Sequence, residues 1–247
     1  MKDIIRSLVS SPIMALNSRV RAWRIRRSYR QLAVQEVFSR IYHSEAWGSH
    51  PDRPFCSGEG SIREDAIGPY CETIRGFLQA HNIRHLVDLG CGDFGVGSRL
   101  LSPDLRYTAV DIVPDLVEYN RKRFADSRLE FKCLNIIDDE LPAGDLCLVR
   151  QVLQHLSNGE ILQILNKLRA YKFAIVTEHV YSGPGWRPNV DKPHGPGTRI
   201  PARSGVFLDA PPFYRDAKAL VEVPLSTHEV LRTVVIDGNA ASCDRRA

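Results

Sequence analysis

The 247 residues hold six cysteines and no C-x-x-C pair, and no Cys/His cluster falls at metal-ligand spacing, so neither a structural zinc site nor any other metal centre is expected. Four of the six sit in apolar or strand-like surroundings. That suits reduced thiols in a reducing cytoplasm better than a disulfide framework. No apolar run reaches the roughly 18 residues needed to cross a bilayer, and the charged opening MKDIIRSLVSSPIMALNSRVRAWRIRRSYR is a poor signal peptide. Internal repeats are absent too, as is a nucleophile–histidine–acid arrangement pointing to covalent catalysis.

Charge is present but uneven. The net charge is +4, yet residues 1–30 alone carry +7 (eight basic side chains against Asp3), leaving −3 for the rest. This excludes a uniformly basic nucleic-acid binder and gives a mildly acidic domain with a basic helical arm over 1–45. Arg19, Arg21, Arg24, Arg26, Arg27 and Arg30, with Trp23 at the interface, would suit an anionic membrane surface; a solvated helix face is the plainer expectation. A cytoplasmic protein, with peripheral contact at the inner membrane face as the alternative, follows from this.

At 43% hydrophobic, the chain can bury one substantial core. Residues 46–238 form the expected domain, and 239–247 a frayed tail. A helix should start near Ile62 and run to about Ala80. Then HLVDLG, RYTAVDI, LEFKCLNI, DLCLVRQVL and KFAIVTEHV read as strands, alternating with helices opened by GVGSRLL, PDLVEYNRKRF and NGEILQILNKLRA. ALVEVPL and EVLRTVVID close the pattern. The alternation predicts an α/β, Rossmann-like, doubly wound and mostly parallel seven-stranded sheet, with an antiparallel final strand and an N-terminal helical extension. Residues 181–213, rich in proline and glycine, read as a functional loop or substrate lid.

The stretch LVDLGCGDFGVG places Gly90, Gly92 and Gly95 as G-x-G-x-x-G after the first strand, and Asp111 closes the second. Such a turn lets backbone approach a ligand, and the strand-end acid accepts from ribose hydroxyls; both fit NAD and S-adenosylmethionine. Asp88 and Asp93 discriminate. They would repel a pyrophosphate but favour the sulfonium and ammonium of S-adenosylmethionine. Asp88 capping its own turn is the plain alternative, and Cys91 reads as a small filler in the same turn.

VDLGCGDFGVG, YTAVDIV, LEFKCLNIIDDELP and DLCLVRQVLQHLS together resemble, in order and spacing, the class I S-adenosylmethionine-dependent methyltransferases. The resemblance covers 87–157 and, more loosely, extends to the end of the fifth strand. It implies S-adenosylmethionine as cofactor, with Gly90, Cys91, Gly92, Asp88 and Asp93 around its methionine part and Asp111 on the ribose. Ile112, Asn135 and Ile136 would border adenine, and Arg150 and Gln151 the methionine head and substrate pocket. Many relatives have aspartate at both positions: at Asn135 an amide can still accept from the exocyclic amine of adenine, whereas a carboxylate role does not carry over to Gln151. A bacterial subgroup with an upstream tryptophan and serine/glycine loop is also similar. It implies a lid from Trp47, Ser57, Gly58 and Gly60 and, by association, a surface-glycan acceptor.

His155, Glu178 and His179 follow the fourth and fifth strands, where an open sheet gathers ligands, and each is a candidate general base. Turn contacts or salt bridges are the competing roles. Trp186, Arg187, Asn189, His194, Arg199 and Arg203 would supply stacking and cationic groups over a carbohydrate or anionic acceptor. The expected function is O-methylation of a small-molecule or glycan acceptor, with nitrogen as the alternative acceptor atom and no nucleic-acid partner. A non-catalytic scaffold retaining the fold and an NAD-dependent oxidoreductase are the alternatives.

Overall fold

A computed structural model of the chain describes Tyr29 and residues 32–238. The arm arginines 19–30, Trp23 and the tail 239–247 lie outside the described residues. Among those described, no helix is long and apolar enough to cross a membrane.

Seven strands form one sheet: β1 (His85–Leu89), β2 (Arg106–Asp111), β3 (Leu129–Cys133), β4 (Leu146–Arg150), β5 (Phe173–Tyr181), β6 (Ala217–Ser226) and β7 (Glu229–Asp237). Their order is β3-β2-β1-β4-β5-β7-β6. The first five pair in parallel, and β7 runs antiparallel between β5 and β6. The central strands are apolar almost throughout because both faces are covered. Alternate residues serve opposite layers: Val87 and Leu89 pack with α1 (Val34–His43) and α4 (Asn158–Lys167), while Leu86 packs with α2 (Glu64–Ala80). The order reverses between β1 and β4, so the crevice beyond their carboxyl ends is where an open α/β sheet takes a ligand.

Local sequence explains the helix starts. Pro114 occupies the first turn of α3 (Pro114–Arg123). In α4, Ser157 and Glu160 form a reciprocal capping box. By contrast, the helix expected from GVGSRLL is a single 3-10 turn, Gly97–Leu100. Gly95 and Gly97 weaken helix formation at about 1 kcal/mol each, and Phe94 takes a positive φ of 58° that buries its ring against Tyr107. The stretch after the glycine turn is thus folded into the core rather than wound.

Residues 34–43, placed by sequence in the basic arm, form α1. Its Val37, Phe38, Ile41 and Tyr42 are buried in the main core. β6 is mostly exposed; as an edge strand it tolerates Pro224 and two register shifts.

Candidate active site

The glycine turn folds back on β2. Gly90 and Cys91 donate their backbone N–H groups to the Val110 carbonyl at 2.8 and 2.9 Å. Gly90 and Gly92 have φ of 79° and 57°, and a Cβ on either would strike Val152 or Ser57. Asp111 spans the turn, with one carboxylate oxygen accepting from Gly92 N–H at 3.0 Å and the other from Val113 N–H at 3.1 Å. Each oxygen keeps a lone pair for a ligand. Asn120 of α3 locks the arrangement by donating to the Gly92 carbonyl at 2.7 Å.

These groups open into a cavity of about 280 Å³, close to the ~300 Å³ lower end of small-ligand pockets. On the α2 side lies Asp88, which accepts from the Tyr107 hydroxyl at 2.8 Å. Burial raises its carboxyl to about 6. Asp111 is raised by burial as well, whereas Asp93 accepts from Gly95 N–H at 3.1 Å. Cys91 lies among these acids; burial and their charge push its thiol well above the ordinary range, which rules out a thiolate nucleophile.

The other site residues fall around this floor. Ile112, Asn135 and Ile136 line the cavity, but the Asn135 amide is engaged at both ends, accepting from Ile137 N–H at 3.1 Å and donating to Asp138 at 2.6 Å. Arg150 is half-buried at the end of β4 with its guanidinium carbon 4.9 Å from the Tyr70 ring centre. Gln151 follows at a φ of 55°. Trp47, Ser57, Gly58 and Gly60 all border the cavity. Ser57 Oγ accepts from Asp93 N–H at 2.8 Å and pairs with the Tyr42 hydroxyl at 3.0 Å.

The three acid–base candidates separate. His155 lines the cavity, its ring 4.9 Å from Trp47 and 6.4 Å from Phe38. Burial, followed by the charge of Lys192, lowers it to about 3, so it is neutral and a feeble base. Glu178 does not reach the cavity. Its carboxylate faces inward and accepts the backbone N–H groups of Val152, Leu153 and Gln154 at 3.2, 2.9 and 3.0 Å, fixing the turn after β4. Burial raises it to about 7, but it has no access to a substrate. His179 does line the cavity, and its Nε2 meets Glu229 at 2.9 Å.

The late loop also departs from expectation. Pro196 and Thr198 border the cavity, and the six polar residues named above do not. Arg199 is 1% exposed and donates to the carbonyls of Val190, Leu153, Gln154 and Leu156. Asn189 donates to the Phe207 carbonyl, and His194 pairs with Glu160 at 2.7 Å. Trp186 lies half-exposed against Phe207, while Arg187 and Arg203 are joined through their backbones. They organise the loop instead of presenting it to an acceptor. Sequence reasoning missed Phe38, Tyr42, Tyr70, Tyr107 and Gln154, which line the cavity from helix and strand faces that read only as core.

Residues 87–171 match a family model described as a methyltransferase domain. A malonyl-[acyl-carrier protein] O-methyltransferase of Acetivibrio thermocellus is 47% identical over 58 residues, 23% of this chain and 20% of that protein. This chain therefore corresponds to a fifth of that curated relative. Two solved structures share the fold. Magnesium protoporphyrin IX methyltransferase from Synechocystis PCC 6803, with bound SAM, has a TM-score of 0.55 at 12% identity, over 83% of this chain and 97% of that one. Human N-acetylserotonin methyltransferase, in complex with SAM, has 0.52 at 16%, over 83% and 60%. The chain thus has the Rossmann-like fold that these methyltransferases share, and residues 87–171 are similar to a methyltransferase domain.

Proposed function

We propose that this protein is an S-adenosylmethionine-dependent methyltransferase that methylates an oxygen of a small-molecule acceptor. The observation that carries the reading is the convergence of the glycine turn, Asp111 and Asp88 on one cavity at the sheet's reversal point. The residues fit the donor. Asp111 offers free lone pairs to two ribose hydroxyls, and buried Asp88 offers negative charge to an ammonium. Ile112 and Ile136 supply apolar walls for adenine.

When bound, the donor supplies a methyl group on sulfonium, itself a good leaving group. The chain's task is then alignment of the acceptor and removal of its proton. The aromatic wall of Phe38, Trp47 and neutral His155 confines the acceptor. His179, with one ring nitrogen held by Glu229, keeps the other for a hydroxyl proton. Oxygen as the target is supported by the curated O-methyltransferase relative. A glycan acceptor rests on the sequence resemblance alone, and membrane contact through the arm rests on its charge.

Calorimetric titration with S-adenosylmethionine, S-adenosylhomocysteine and NAD tests the donor. Micromolar binding of both sulfur ligands without NAD is the expected result. Folded protein that binds neither sulfur ligand would refute the reading.

A further inference from the structure

The cavity divides by charge. Among the described residues, its charged lining groups are Asp88, Asp93 and Asp111 around the glycine turn, Arg150 at the end of β4, and exposed Glu59 on the lid. The wall that His179 joins is neutral and continuous: Phe38 meets Trp47, Trp47 meets His155 and Pro196, and Gln154 bridges His155 to His179. No cation in that wall would pair with a carboxylate or phosphate, so the part of the acceptor that enters is uncharged.

Hydrogen-bonding capacity along the same wall is nearly used up. Gln154 Oε1 accepts from the His179 N–H at 3.2 Å, and its Nε2 lies 3.2 Å from His155 Nε2. Thr198 Oγ1 accepts from Ile200 N–H at 3.4 Å. Left over are the His179 ring nitrogen not held by Glu229 and the amide nitrogen of Gln151, whose Oε1 accepts from Arg150. A sugar brings several hydroxyls, each costly when buried without a partner. What the wall offers instead is aromatic surface. The Trp47 ring centre is 6.0 Å from that of Phe38 and 4.9 Å from that of His155, and its N–H is turned away to the Pro196 carbonyl. A cavity of about 280 Å³ shared with the donor suits a flat ring.

Resting on the methyltransferase reading above, we infer that the acceptor is a phenol, an uncharged aromatic ring held by Phe38, Trp47 and His155 with its hydroxyl at His179. The phenol oxygen bonds to the methyl carbon as the carbon–sulfur bond breaks. The bonding pair stays on sulfur, leaving a neutral thioether, and the phenol proton goes to the free His179 nitrogen. Base strength agrees: burial holds His179 below its ordinary value, and a phenol ionises near ~10, against ~16 for water and similar hydroxyls.

The test uses the full chain and four probes: catechol, 2-naphthol, cyclohexanol and methyl β-D-glucopyranoside. With S-adenosylhomocysteine bound, calorimetry should detect the phenols and neither of the others, and with S-adenosylmethionine, mass spectrometry should find an O-methyl product from a phenol alone. Trp47→Leu and Phe38→Leu should each weaken 2-naphthol by roughly 3–10-fold, the range for an aromatic pair, with S-adenosylhomocysteine affinity unchanged. The inference is overturned, with the donor site left standing, if neither phenol binds the loaded protein, if the glucoside or cyclohexanol is methylated as fast as the phenols, or if both folded variants bind 2-naphthol as wild type does. Failure of wild type to bind S-adenosylhomocysteine would overturn the donor reading, and this inference with it.

Discussion

The indole N–H of Trp47 donates to the Pro196 carbonyl at 3.1 Å, joining the segment after α1 to the late loop over the cavity. The same ring packs edge-on to Tyr42 at 5.2 Å. Trp47→Phe keeps most of the apolar wall but leaves that carbonyl unpaired, a loss of ~1–3 kcal/mol if it stays buried. The backbone amides of Gly195, Gly197 and Thr198 should exchange faster with solvent in the variant, as read by mass spectrometry. Unchanged protection there would show that this hydrogen bond does not hold the roof.

Asp111 both shapes the turn and faces the ligand. Asp111→Ala removes the acceptors for Gly92 and Val113 as well as those left for ribose hydroxyls. Affinity for S-adenosylhomocysteine should fall by ~1–3 kcal/mol, the range for charge-assisted hydrogen bonds. A folded variant that binds as wild type does would remove Asp111 from the ribose site.

The strands were readable because β1, β2 and β4 are buried on both faces and so must be apolar nearly throughout, with the glycine turn and Asp111 as punctuation. That same punctuation located the cavity floor. What could not be read was partnership. Glu178 and His179 are adjacent, but strand alternation sends one carboxylate inward to three backbone N–H groups and the imidazole to the cavity. Arg199 looked like a surface cation because nothing local reveals that four carbonyls of distant segments need a donor. Tyr70 and Tyr107 carry no signal beyond their apolar period, and their cavity role arises only when α2 is laid on the sheet.

His155 makes acid sensitivity testable. Its folded value of about 3 lies below that of a free imidazole, so the unfolded chain binds the extra proton. Its contribution is intact above pH 6.5 and is lost as pH falls toward 3, at up to about 1.4 kcal/mol per pH unit. Glu178 and Asp88, raised to about 7 and 6, act oppositely: the folded state gains protons first, and stability rises as pH drops from 7 toward 4. In wild type these slopes oppose one another. His155→Phe should expose the carboxylate slope, so that the variant is more stable to urea at pH 5 than at pH 7. A pH profile parallel to wild type would contradict the assignment of His155 as buried and neutral.

Glu229 decides how His179 titrates. Burial lowers the imidazole, while the Glu229 charge and hydrogen bond raise it, and Arg63 lowers it slightly. A base must be neutral, so methyl transfer should rise with pH through a pKa below 6.5 and then plateau, with no alkaline loss from this residue. Removing the charge in Glu229→Gln takes away the raising influence, so the acid limb should move to still lower pH. The plateau should fall as well, because a neutral amide that can also donate fixes the ring's tautomer less firmly than the carboxylate does. His179→Asn should lower kcat by about 10²-fold, a typical general-base contribution, with donor affinity preserved. The His179 titration can be followed by NMR alongside the rate. If the imidazole moves with Glu229→Gln but the rate profile does not, His179 takes no proton from the acceptor, and another group or bulk water does.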